Sequence, residues 1–197
     1  PDEVRSAALP YVLDKLRSAH AHEHIRFELE RLWERSILVA AVSRVLARRT
    51  GAAEPDVAPL AGLLHNVGAV YLLARMDRHA ALFTDPAVRD VLMHDWQASI
   101  GKAIAQNWGL PDVIADAIGD QLETDRHEAG ARDLADVLCV AVRAAAFFRH
   151  PGELEIALGA LPRFRRLGLG PDELHVAMLE AAQEVDLLRA SLGLGSL

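Results

Sequence analysis

The chain has 197 residues, of which 51% are hydrophobic and 5% aromatic, and its formal net charge is −7. That length supports one domain with a sizeable core or two small ones. The acidic balance argues against a nucleic-acid binder that works by neutralising phosphates, and no apolar run approaches the ~20 residues that cross a bilayer.

Alanine and leucine supply most of the apolar content, and both favour helix over strand. No strand pattern, internal repeat or low-complexity segment interrupts that reading, so the sequence predicts an all-α fold. Pro1-Asp-Glu-Val-Arg5 lacks the basic stretch and apolar block of a signal peptide. Cys139 is the single cysteine, so no intrachain disulfide can form. These features predict a soluble, cytoplasmic protein.

The first predicted helix runs from Val4 to about Ala19, with Leu9, Val12, Leu13 and Leu16 on one side. In His20-Ala-His22-Glu-His24, His20 and His24 stand one turn apart, a spacing that can chelate a metal. Nothing nearby supplies a third ligand, so a solvated helix end or linker is the plainer reading. The second helix spans about Glu28 to Arg49 and is closed by Thr50-Gly51, with Arg48 and Arg49 suited to its negative end. Its stretch Ile37-Leu-Val-Ala-Ala-Val42 is apolar on nearly every side and predicts a central buried helix.

A third helix is predicted from about Val57 to Met76, carrying His65-Asn66 in its interior. The fourth opens near Pro86 and reaches Asn107, with a break expected near His94 to Trp96. Trp108-Gly-Leu-Pro111 separates it from a fifth helix ending near Leu122, and a polar loop covers Thr124 to Gly130. The sixth helix runs from about Ala131 to Phe148. It carries Cys139 in an apolar stretch, which reads as a buried structural thiol rather than a nucleophile. Neither Ser36 nor Cys139 has a convincing base and acid for a nucleophilic triad.

A short helical piece follows over Glu155 to Leu161. Arg163-Phe-Arg165-Arg166 is a small basic cluster that could touch phosphate but equally suits an exposed helix end. Gly168-Leu-Gly170 lacks the residues of a phosphate-binding loop. The last helix starts at Pro171. Its apolar seam is Leu174, Met178, Ala181, Val185, Leu188 and Leu192, about two and a half heptads. That seam would pack on the protein's own core or form a dimer contact.

The stretch Leu60-Ala-Gly-Leu-Leu-His65-Asn66-Val-Gly68 looks like a metal-site motif of the HD phosphohydrolases with its key acid missing. It is preceded by Leu32-Trp33-Glu-Arg-Ser36 and Ala40-Ala41. It is followed by Ile100-Gly101, Trp108-Gly-Leu-Pro111, Ile114 and Ala117-Ile118. In this order the motifs resemble the HDOD domain, the HD-related output domain of bacterial signalling proteins, best over 29–148. The resemblance implies one HD-type helical bundle over 1–197, with 153–197 as a helical extension and the usual N-terminal subdomain shortened or missing.

The same resemblance places Arg35 where catalytic relatives have their first ligand histidine, and His65-Asn66 where they have His-Asp. Gln97 and Asp120-Gln121 stand at further histidine positions, and Asp136 matches the last aspartate. A neutral amide is a weak ligand for a hard cation, and Arg35 brings a fixed positive charge. A catalytic metal needs about three protein ligands and an open position. The expectation is therefore no metal and no cofactor. Instead, an Arg35–Asp136 ion pair should fill the old site, with His65 and Asn66 hydrogen-bonded beside it. The alternatives are a pocket that binds a small anion through Arg35 and His65, or a working metal site. Function then falls to a non-catalytic signalling or scaffolding module with a protein partner, no nucleic acid and no membrane. The rivals are a phosphohydrolase acting on a nucleotide or cyclic dinucleotide and a small-ligand sensor.

Overall fold

The computed structural model describes residues 23–79, 85–125, 130–148 and 150–191. Its elements are α1 (Glu23–Thr50), α2 (Ala58–Leu64), α3 (Val67–Arg78), α4 (Pro86–Asn107) and α5 (Asp112–Asp120). They continue with α6 (Leu134–Ala146), α7 (Pro151–Gly159), α8 (Pro162–Leu167) and α9 (Pro171–Ser191). No strand occurs among the described residues, and none of their helices is long and apolar enough to cross a membrane. The predicted helix over Val4–Ala19, His20 and His22 lie outside the described residues.

The centre is built by α1 and α6. The run Ile37 to Val42 is apolar nearly all round, and α1 accordingly packs on α2, on α6 and on α9. In the main core Val39, Val42 and Leu46 of α1 meet Leu60 and Leu64, Ile114 and Ile118, and Val137, Leu138 and Val140 of α6. A Thr50 hydroxyl bond to the Leu46 carbonyl closes α1, and Gly51 then takes a positive φ of 63° that few other residues tolerate.

Two predicted boundaries move. The single helix expected from Val57 to Met76 is two helices, broken at His65-Asn66, so the motif forms a corner rather than a helix interior. The break expected at His94 to Trp96 is absent, and α4 runs unbroken from Pro86 to Asn107. Trp96 is largely exposed, so no core packing forces a bend there.

The last helix settles on the domain's own core. Leu174, Ala177, Ala181 and Leu188 are buried, and α9 lies along α1. Its glutamates and arginine reinforce that contact. Glu184 accepts a 2.7 Å bond from Arg44, Glu180 accepts from Arg49 at 2.6 Å and Arg48 at 3.3 Å, and Arg189 pairs with Glu34. The seam thus packs on α1, with Met178 and Val185 half-buried; Leu192 lies outside the described residues.

Candidate functional site

The motif around His65 is held by close backbone approach on both sides. A Cβ on Gly62 would lie 2.5 Å from the Ala40 Cα and 2.7 Å from its nitrogen, so glycine lets α2 rest on α1. A Cβ on Gly68 would collide with the Gln97 carbonyl oxygen and lie 2.7 Å from the Gly101 nitrogen, so glycine lets α3 start against α4. The two glycines set the angle of the corner, and His65-Asn66 sits at its apex.

His65 is buried, with Nδ1 2.6 Å from the Gly62 carbonyl oxygen. A carbonyl can only accept, so Nδ1 carries the proton and Nε2 presents a lone pair. That Nε2 has no hydrogen-bond partner among the described residues. Burial drives the imidazole pKa down to about 3. The Gly62 bond works against that shift, and the Arg35 charge adds to it. His65 is therefore a neutral ring at any ordinary pH.

The neighbouring positions are engaged in holding the corner. Asn66 donates from Nδ2 to the Leu32 carbonyl at 3.3 Å, tying the corner to α1. Gln121 is buried and donates to the His65 carbonyl at 2.8 Å and the Ile118 carbonyl at 2.9 Å. It satisfies the His65 carbonyl at the corner. Gln97 contributes its backbone to the Gly68 contact and is half-buried, as is Asp120. The structure thus brings His65, Asn66 and Gln121 together and sets the backbone of Gln97 against the same corner.

The expected Arg35–Asp136 pair does not form. Arg35 donates from Nη2 to the Val142 carbonyl at 3.3 Å, which is six residues, or about 9 Å of helix axis, beyond Asp136. Partial burial lowers the Arg35 pKa, and the charges of Arg143 and then Arg31 lower it further. The α6 segment facing Arg35 is therefore Val142-Arg143. Asp136 instead stands three residues after the N-cap Asp133, in a reciprocal capping box: Asp136 N donates to Asp133 at 3.0 Å and Asp133 N donates to Asp136 at 3.3 Å.

Asp136 is claimed by α8. Arg166 donates from Nε to Oδ2 at 3.0 Å, and Arg163 Nη1 lies 3.7 Å from Oδ1. Both Asp136 and Arg163 have no exposed side-chain surface. This corrects the reading of Arg163-Phe-Arg165-Arg166 as an exposed helix end, since Phe164 is buried as well. The signal was the three-residue spacing of Arg163 and Arg166, which puts both on one face of a helix. Cys139 is buried as expected. Burial raises its thiol pKa, and Sγ lies 3.6 Å from the Glu123 carbonyl oxygen.

These residues do not fit a catalytic metal. His65 Nε2 offers one lone pair, in the tautomer a ligand histidine would use. Asn66 is neutral, Arg35 repels a cation, and Asp136 is paired elsewhere. No group of three His, Cys, Asp or Glu side chains able to hold a metal occurs among the described residues. The slot beside the corner, lined by Leu32, Trp33, Ser36, Asn66 and Val67 among others, has a free volume of about 10 Å³, room for about one water. A wider groove of about 520 Å³ runs between Gly51–Val57 and the starts of α5 and α6, and none of the motif residues lines it.

Two solved structures share the architecture. One, from Shewanella amazonensis, is provisionally described as a metal-dependent phosphohydrolase; it superposes with a TM-score of 0.73 at 22% identity, over 92% of this chain and 65% of that one. A second protein of the same organism, provisionally described as a phosphohydrolase, gives 0.51 at 21% identity, over 79% of this chain and 63% of that one. The chain thus spans under two thirds of either relative's length. No curated protein matches it. Residues 2–123 match the HDOD domain family, a span that begins earlier than the sequence motifs did and ends before α6. With its all-helical bundle and its His65-Asn66 corner, the chain belongs to the HDOD family.

Proposed function

We propose that the protein is a non-catalytic signalling or scaffolding module that acts through contacts with other proteins in a bacterial cytoplasm. The observation that carries this reading is the composition of the corner. Arg35 brings a cation beside a neutral His65 and a neutral Asn66, and Asp136, which the resemblance placed at the last ligand position, does not face Arg35 but pairs with Arg163 and Arg166. A metal site at the corner would need other ligands than these. The rival reading is a metal-dependent phosphohydrolase acting on a nucleotide or cyclic dinucleotide. It draws on the descriptions of the two Shewanella proteins and on the free lone pair of His65 Nε2.

Elemental analysis of the purified protein separates the two. The scaffold reading expects no stoichiometric iron, manganese or zinc. About one equivalent per chain, lost in His65→Ala, would replace it with the hydrolase.

A further inference from the structure

Arginines on α1 that point toward α9 are neutralised. Arg44 has Glu184, and Arg48 and Arg49 share Glu180. Near the start of α1, Arg26 faces Glu30. Arg31 and Arg35 differ. Neither has a carboxylate within 4.0 Å among the described residues, and the same holds for Arg143 of α6.

These three cations lie together. Arg31 and Arg35 are one turn apart and share a face of α1. The Arg35 guanidinium reaches the carbonyl of Val142, the residue before Arg143. Phe27 extends the same stripe by one more turn; it is 60% exposed, and the Arg31 guanidinium stands 6.0 Å from its ring centre. The closest glutamates on α1 are turned to other partners, Glu30 to Arg26 and Glu34 to Arg189. The negative end of α6 accounts for cations at Arg35 and Arg143, but not for Arg31.

A chain of net charge −7 thus gathers three arginines with no carboxylate within 4.0 Å among the described residues, on a stripe that begins at an exposed phenylalanine. Guanidinium groups match carboxylate and phosphate oxygens in a two-pronged geometry, and arginine with an aromatic is the composition of interface hot spots. The slot beside Leu32 and Ser36 holds about one water, so it offers no seat for a nucleoside. Guanidiniums strung along α1 and on to the end of α6 suit an extended acidic chain better than a small nucleotide.

We propose that Phe27, Arg31, Arg35 and Arg143 form a docking stripe for a carboxylate-rich segment of a protein partner. The inference rests on the reading of this chain as a protein-contact module and names the chemistry of that contact.

Fluorescence anisotropy tests it, with the intact chain and three labelled probes: a glutamate-rich peptide, its phosphoserine counterpart and a single-stranded DNA oligonucleotide. The glutamate-rich peptide should bind, more weakly as salt rises. Arg31→Glu and Arg143→Glu, both at exposed positions, should each weaken binding by about tenfold or more, as should Arg35→Glu if it folds. Arg75→Glu on α3, whose guanidinium is bonded to Tyr71, makes the same charge change outside the stripe and should bind like the parent. Failure of the glutamate-rich peptide, binding of the phosphoserine peptide alone, DNA binding as tight as the glutamate-rich peptide, or an equal loss in Arg75→Glu would each overturn the stripe. Metal content is measured separately, so the stripe and the functional reading can fail independently.

Discussion

Asp136 and Arg163 meet with both side chains fully buried, Oδ1 and Nη1 lying 3.7 Å apart. None of the Arg163 nitrogens has a hydrogen-bond acceptor among the described residues, so Asp136 is what compensates its charge, while Asp136 is also held by Arg166 and the Asp133 N–H. The pair also ties α8 to the start of α6. Removing one partner leaves the other charge stranded in the core, which costs about 3–5 kcal/mol. Asp136→Ala should therefore lower the unfolding free energy measured by urea denaturation by that amount. Adding Arg163→Met should recover much of the loss, because the orphaned charge is gone. A double variant no more stable than Asp136→Ala would show that the capping box, not the ion pair, is what Asp136 supplies.

His65 makes stability depend on pH. Its folded pKa of about 3 lies below the ordinary 6.5, so between those values the unfolded chain binds a proton that the folded chain excludes. The stabilisation is complete above the unfolded pKa and is lost as pH falls toward the folded one, by about 1.4 kcal/mol per pH unit. His65→Gln cannot take that proton. Chemical denaturation between pH 4 and 6, a range inside that window, should show a shallower slope for the variant. Parallel slopes would mean that His65 titrates normally in the fold.

The two helices of the corner meet α1 and α4 through glycine. Gly68→Ala would drive a Cβ into the Gln97 carbonyl and the Gly101 nitrogen, both backbone atoms that cannot rotate away. Overpacking of this kind costs roughly 1–3 kcal/mol or more. Gly119→Ala is the informative contrast. Its new Cβ would meet Lys102 Cδ at 2.8 Å, the movable part of a flexible side chain, so this variant should melt within a few degrees of the parent. Equal losses in the two thermal melts would count against the tight α3–α4 contact.

Truncation after Gly170 removes α9. That deletes the partners of Arg44, Arg48 and Arg49 and uncovers the α1 surface around Ile37 and Ala41 that packs with Leu188. The remainder should aggregate or lose its cooperative transition in calorimetry. A monomeric remainder that still melts sharply would show that α9 is dispensable to the core.

Much of this protein follows from local sequence. Helix starts at Pro86 and Pro171, the closure of α1 at Thr50-Gly51 and the centrality of Ile37 to Val42 all depend on neighbouring residues, and periodicity reports them directly. The motif order that placed the chain in the HDOD family is also local, as are the burial of Cys139 and the inward seam of α9. Other features needed the third dimension. The corner at His65-Asn66 arises because Gly62 and Gly68 allow two different helices, α1 and α4, to approach, and because Gln121, 56 positions away in sequence, takes the freed carbonyl. The partner of Asp136 could not be read from order along the chain. Three arginines could have reached that region, and the choice of Arg163 and Arg166 over Arg35 was made by the packing of α8 on α6. Charge pairing acts over a few ångströms in space whatever the separation in sequence, so tertiary packing decided it.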